Sequence, residues 1–217
     1  MWQNTKHSGV GVAFIIGRLM ALFFCFASTC CLADPASSLL ATLAKHKTIE
    51  AQFIQVVTNE QGEQAKSTGT MRLTRPNQFY WRIDSPSNQL IIADGRWIWV
   101  YDKDLEQVIK RRQDLNNSLP AQLLAGNLDL IAQDYQVRST HDAILNQDRY
   151  TLTTNTSEAL FSSISLVFTN AILASMSISD PLGQNTEFHF KAVKINQPID
   201  PKWYQFHPPK GADIINE

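Results

Sequence analysis

Residues 71–86 read MRLTRPNQFYWRIDSP. Read with a period of two, Met71, Leu73 and Arg75 share one face of a strand. After a Pro76-Asn77 turn, Phe79, Trp81 and Ile83 share one face of the next. Two apolar rows joined by a tight turn predict an antiparallel hairpin with one buried face. Arg75 continues the parity of Met71 and Leu73, so a guanidinium is aimed along the apolar row. A charge placed there is costly unless something meets it.

The same alternation extends in both directions. Before the hairpin, TIEAQFIQVVT at 48–58 places Ile49, Ala51, Phe53 and Val57 on one face, ahead of a polar turn at 59–63 around Gly62. Strands are predicted at 66–75, 78–84, 89–93, 96–102 and 105–111, separated by turn residues such as Asp94-Gly95 and Asp102-Lys103-Asp104. After a polar loop at 112–118, LPAQLLAG at 119–126 reads as a short helix, with proline early, Leu123-Leu124 inside and glycine at the end. Strands resume at 134–139, 148–154, 162–169, 172–179, 184–195 and 202–206, and Pro208-Pro209 with Gly211 closes the sheet. An opening helix is expected from Asp34-Pro35, an N-cap followed by proline at the first helical position. Ala36, Leu39, Leu40 and Leu43 keep helical spacing, and the helix should end near His46-Lys47. The predicted class is α+β, mainly β: an incomplete antiparallel β-barrel, one curved sheet of about eleven strands, with helices covering an apolar cavity.

Residues 1–33 differ in kind. Lys6 and Arg18 are the only formally charged side chains before Asp34, and LMALFFCFASTCCL at 19–32 is apolar with small residues late. This is the pattern of a secretory signal peptide, cut before Asp34 and leaving a domain at 34–217; an uncleaved anchor is the alternative. All three cysteines, Cys25, Cys30 and Cys31, lie in this segment, so the mature chain needs no disulfide. Neither Cys30 nor Cys31 has an aliphatic residue three places upstream, which argues against lipid attachment. The full chain has a formal net charge of -1; without Lys6 and Arg18 the mature part holds 17 basic and 20 acidic side chains. Nothing in this balance points to nucleic acid.

Chemistry leaves little trace. No G-x-S-x-G elbow, H-E-x-x-H pair or phosphate-binding loop is present, and no metal or cofactor is implied. His46, His141, His189 and His207 are scattered and read as exposed strand or loop residues. Asp102, Asp104 and Glu106 lack the glycine and distant glutamate of a calcium loop and read as a solvated turn. What remains is apolar. Met71, Leu73, Phe79, Trp81 and Ile83 lie on neighbouring strands, and Trp97, Trp99 and Tyr101 share a face with Ile98 and Val100 opposite. An ordinary sheet core is one reading. A ligand cavity is the other, because two short helices cover little of so wide a sheet and Arg75 would sit at the mouth. In that reading the helix at 119–126 is the cover, and Arg75 donates to the free carbonyls at its end.

These residues resemble the outer-membrane lipoprotein carrier proteins (LolA) of the Gram-negative periplasm. The resemblance rests on Ile49-x-Ala51-x-Phe53-x-Gln55, Gly69-x-Met71-x-Leu73, Arg75-Pro76-Asn77-x-Phe79-x-Trp81, Trp99-x-Tyr101-Asp102 and Glu106-Gln107. It continues through Pro120-x-x-Leu123-Leu124-x-Gly126, Asp180-x-x-Gly183-x-x-Thr186, Asn196-x-x-Ile199 and Phe206-x-Pro208-Pro209-x-Gly211. It implies a half-barrel closed by helices, with Arg75 as a latch that bonds to the lid when empty and lets go when acyl chains enter. It implies a periplasmic, monomeric, non-enzymatic carrier of acylated lipoproteins. An inner-membrane ABC transporter would load it and an outer-membrane receptor would unload it. The residues expected against the ligand are Leu39, Leu43, Ile49, Phe53, Met71, Leu73, Phe79, Trp81, Ile83, Trp99, Leu119, Leu123, Leu124 and Phe206. Ala121 and Gln122 are smaller or more polar than the residues of some members, so the lid is lean. Two other readings use the same features: a periplasmic sensor of lipids or stray lipoproteins, and a lipid-modifying enzyme, for which no nucleophile–base pair is visible.

Overall fold

In the computed structural model, residues 34–113, 135–154 and 161–217 are described. Helix α1 spans Pro35–Lys45. It starts as the Asp-Pro pair requires: the Asp34 carboxylate accepts the Ser37 N–H at 3.1 Å, and Pro35 occupies the first turn. It ends at His46, whose N–H turns back to the Leu43 carbonyl. Leu39 and Leu43, one turn apart, form its fully buried stripe.

Among the described residues twelve strands follow: β1 (Thr48–Thr58), β2 (Gln64–Thr74), β3 (Gln78–Ser85), β4 (Gln89–Asp94), β5 (Trp97–Asp102), β6 (Gln107–Arg112), β7 (Gln136–Asp142), β8 (Gln147–Thr153), β9 (Ser163–Thr169), β10 (Ile172–Ser179), β11 (Asn185–Ile195) and β12 (Asp213–Asn216). They form one open sheet in the order β12-β6-β5-β4-β3-β2-β1-β11-β10-β9-β8-β7. Two runs of hairpins therefore spread outward from β1, and the long β1–β11 pairing joins them.

The sheet is strongly curved, and its inner face carries the main core. Trp81 on β3 and Phe188 on β11 are three strand spacings apart, about 14 Å on a flat sheet. Their ring centroids are 5.1 Å apart. Phe53 on β1 stacks on Trp81 at 4.1 Å across the intervening strand β2. Gly69 makes that stack possible. It lies in register between Phe53 and Ile83, and a Cβ there would sit 2.5 Å from Phe53 Cζ and collide with the Arg82 carbonyl. Leu39 and Leu43 of α1 join this core, beside Tyr150, Leu152, Ile164, Leu166 and Phe168 of β8 and β9.

Three expectations are corrected. Residues 202–206 are not a strand: Pro201–Tyr204 is a short 3-10 helix, capped by the Asp200 carboxylate on the Lys202 N–H. The sheet does not close at Gly211, because β12 follows it. Nor is the sheet wholly antiparallel, since β12 runs parallel to β6 with Ile214 opposite Val108. The expected helix at 119–126 lies outside the described residues.

Candidate functional site

Register shows which side chains share the inner face. One row runs Ile49–Leu73–Phe79–Ala93–Ile98–Arg111 across β1 to β6. The next runs Ala51–Met71–Trp81–Ile91–Val100–Ile109. A third holds Phe53, Gly69 and Ile83. Leu39, Leu43, Ile49, Phe53, Met71, Leu73, Phe79, Trp81 and Ile83 are therefore brought together, with Ile83 at the partly buried margin. The result is a continuous apolar field under α1.

Trp99 and Phe206 are not in it. Ile98 is the β5 residue paired with Ala93 and facing inward, so Trp99 faces outward. The outer row reads Glu50–Arg72–Tyr80–Ile92–Trp99–Lys110. Phe206 packs on it from the segment after β11, 5.5 Å from the Trp99 ring and 5.9 Å from that of Tyr101. Trp99 and Phe206 thus build a second, smaller cluster with Tyr80, Ile92 and Tyr204. Leu119, Leu123 and Leu124 lie outside the described residues.

Arg75 closes the inner field at the β2–β3 turn. Its backbone N–H donates to the Lys47 carbonyl at 2.9 Å, and its Nε donates to the His46 carbonyl at 3.1 Å. The acceptors are thus at the end of α1, where helix carbonyls lack internal partners. The expected bond to helix 119–126 lies outside the described residues. Among the described residues, the buried Nη1 and Nη2 have no hydrogen-bond partner. Burial pushes the Arg75 pKa down to about 10, so the group is a cation at neutral pH, and among the described residues four of its five N–H donors are idle.

Asn196 secures the same end of α1 from the other side. Its side chain accepts the Lys47 N–H at 2.8 Å and donates to the Lys45 carbonyl at 2.9 Å. Further along α1, Ser38 and Tyr150 share a hydroxyl–hydroxyl bond of 2.9 Å.

Two residues escaped the sequence reading. His46, read there as exposed, is buried to 3% exposure, its ring 6.1 Å from that of Phe168. Only the fold brings β9 to it. Arg111 lies in register with Ile98 on the inner face, and its Nε is buried without a partner among the described residues. Period-two reading of 107–112 would have found it, since Ile109 and Arg111 alternate with Val108, Lys110 and Arg112.

The family model "Outer membrane lipoprotein carrier protein LolA" matches residues 44–207, a span that holds β1 to β11 and Arg75 but leaves out most of α1, with Leu39 and Leu43, and β12. The chain belongs to this family. It is 37% identical over 187 residues to the outer-membrane lipoprotein carrier protein of Hahella chejuensis, covering 85% of this chain and 88% of that one. It is 37% identical over 177 residues to the protein of the same name from Pseudomonas syringae, covering 81% and 84%. Among solved structures, an uncharacterized conserved protein from Thermus thermophilus shares the fold, with a TM-score of 0.52 at 10% identity, over 84% of this chain and 99% of that one.

Proposed function

We propose that the mature chain is a periplasmic carrier that shelters the acyl chains of lipoproteins between its curved sheet and α1. In this reading residues 1–33 are the signal peptide. An inner-membrane ABC transporter loads the carrier, and an outer-membrane receptor empties it. The observation that carries the proposal is the inner field itself: rows of apolar side chains ending in a buried guanidinium that holds the end of a helix.

The energetics suit a carrier. Exposing an acyl chain costs about 0.8 kcal/mol per CH₂, so lipoprotein chains do not cross water unaided. Yet a carrier that binds too tightly cannot deliver. Among the described residues, Leu39, Leu43, Phe53 and Phe168 are each at most 2% exposed, so α1 packs directly on the inner field. In this reading a ligand displaces α1 to enter, and the closed state competes with it and lowers apparent affinity. Arg75 supports that closed state through its bonds to residues 46 and 47, so it acts as the latch. Leu39, Leu43, Phe53, Met71 and Trp81 would meet the chains. Trp99 and Phe206, on the outer face, would support the sheet.

The test is delivery. The mature protein, purified from the periplasm without detergent, should carry an acylated lipoprotein in a one-to-one complex by native mass spectrometry. It should pass that cargo to receptor-bearing vesicles. Arg75→Leu should load but release poorly. A protein that carries only phospholipid and transfers nothing contradicts the carrier reading; normal delivery by Arg75→Leu contradicts the latch.

A further inference from the structure

We propose that His46 is the positioning residue of the Arg75 latch, and that it makes the latch sensitive to acid: its neutral imidazole packs the end of α1 against Arg75, and its protonation opens that contact. The inference rests on the latch reading above and adds the residue that sets its pH response.

The geometry is local and specific. Arg75 takes hold of the chain at two successive carbonyls, those of His46 and Lys47, so the His46 peptide is where latch and helix meet. The same residue's side chain is 3% exposed and lies against Phe168, so the ring anchors the chain beside that carbonyl. Nδ1 of the ring is buried and has no hydrogen-bond partner among the described residues. The charges that act on the ring come from Arg75, at the β2–β3 turn, and from Lys45, in α1. The other groups at this corner, Phe168 of β9, the Ala171 backbone and the Asn196 side chain, are uncharged. A protonated ring would thus be a second buried cation beside a guanidinium whose Nη1 and Nη2 already lack acceptors, with no carboxylate among the described residues to compensate either.

The direction follows from linkage. Burial first, then the Arg75 charge and more weakly that of Lys45, lower the His46 pKa, against a backbone hydrogen bond at Ala171 that raises it. When α1 lifts, the ring meets water and returns toward the ordinary histidine value, about 6.5. Between those two values the open form binds more protons than the closed form. Falling pH therefore favours opening, and rising pH restores closure. Each unit of separation between the two pKa values is worth up to a tenfold change in the open-to-closed ratio. Because the closed form competes with acyl chains, apparent affinity should rise in acid and fall at neutral pH.

The experiment measures the affinity of the mature protein for a fluorescent triacylated lipopeptide with an uncharged peptide part, from pH 5 to pH 8. The wild type should bind several-fold more tightly at pH 5.5 than at pH 7.5. His46→Gln, a neutral hydrogen-bonding replacement, should show a flat profile, and Arg75→Leu a shallower one than wild type, since burial of the ring remains. A His46→Gln profile with the wild-type slope would overturn the inference. A flat wild-type profile with a release defect in Arg75→Leu would overturn it while leaving the latch intact. Normal release by Arg75→Leu would remove the latch itself. Should His46→Gln not fold, an NMR titration of the wild-type imidazoles decides. His46 titrating below the ordinary range in the closed protein is expected, and titration at the ordinary value would refute the assignment.

Discussion

Each face of the sheet carries a cover that begins with an Asp-Pro pair, and the two covers are held in opposite ways. On the outer face, Asp200-Pro201 starts the 3-10 helix, and its aromatic residues are tied to the sheet. The Tyr204 hydroxyl and Thr74 Oγ1 are 2.7 Å apart. The Arg72 guanidinium lies 3.8 Å from the Trp203 ring centroid and donates to Glu50 at 3.1 Å. Lys194 joins the same carboxylate at 3.2 Å. On the inner face, Asp34-Pro35 starts α1. Leucine burial, the Ser38–Tyr150 bond and the bonds of Asn196 hold it, together with a guanidinium whose two terminal nitrogens are idle among the described residues. Satisfied polar groups make a cover permanent. A largely unpaired charge at a helix end makes one that a ligand can move.

The comparison can be broken in stages. The largest effect on stability should come from the outer cover. Tyr204→Ala removes a side chain that is 2% exposed, and should cost about 3–5 kcal/mol in denaturant unfolding, the range for large aromatic residues. A loss below about 1 kcal/mol, typical of surface sites, would mean that the outer cover is no more fixed than α1. Gly69→Ala comes next. It drives a methyl group into the Arg82 carbonyl and the Phe53 ring, so an overpacking cost of about 1–3 kcal/mol is expected, with a change in tryptophan fluorescence as the Phe53–Trp81 stack is disturbed. Arg75→Leu should have the smallest effect. Replacing a buried cation that is largely unpaired with an apolar side chain removes its desolvation cost, so unfolding should stay within about 0.5 kcal/mol of wild type or shift upward. A large destabilisation would show that Arg75 is part of the framework and not a latch.

Much of this architecture was legible because local patterns agree with the fold. Alternation in TIEAQFIQVVT and MRLTRPNQFYWRIDSP placed β1 to β3 and their shared inner face, and Asp34-Pro35 placed α1. Parity alone does not say which face is inward, however. In WIWVYD both faces are apolar, and only the pairing of Ile98 with Ala93 turns Trp99 outward. Residues 202–206 carry aromatic residues that suit a strand, but the Asp-Pro cap before them, the same signal read correctly at α1, decides for a helical turn. Strand β12 was unreadable: its four residues are exposed, and its partner β6 is parallel and about a hundred residues away. The burial of His46 depends on Phe168 and Ala171, which no local window contains.

The most direct measurement is hydrogen exchange of the mature protein with and without the bound triacylated lipopeptide, comparing α1 with residues 200–206. Loading should cost the α1 amides and those of residues 46 and 47 most of their protection, while the segment around Tyr204 keeps its own. Unchanged protection in α1, or equal loss on both faces, would contradict an account in which one cover moves and the other does not.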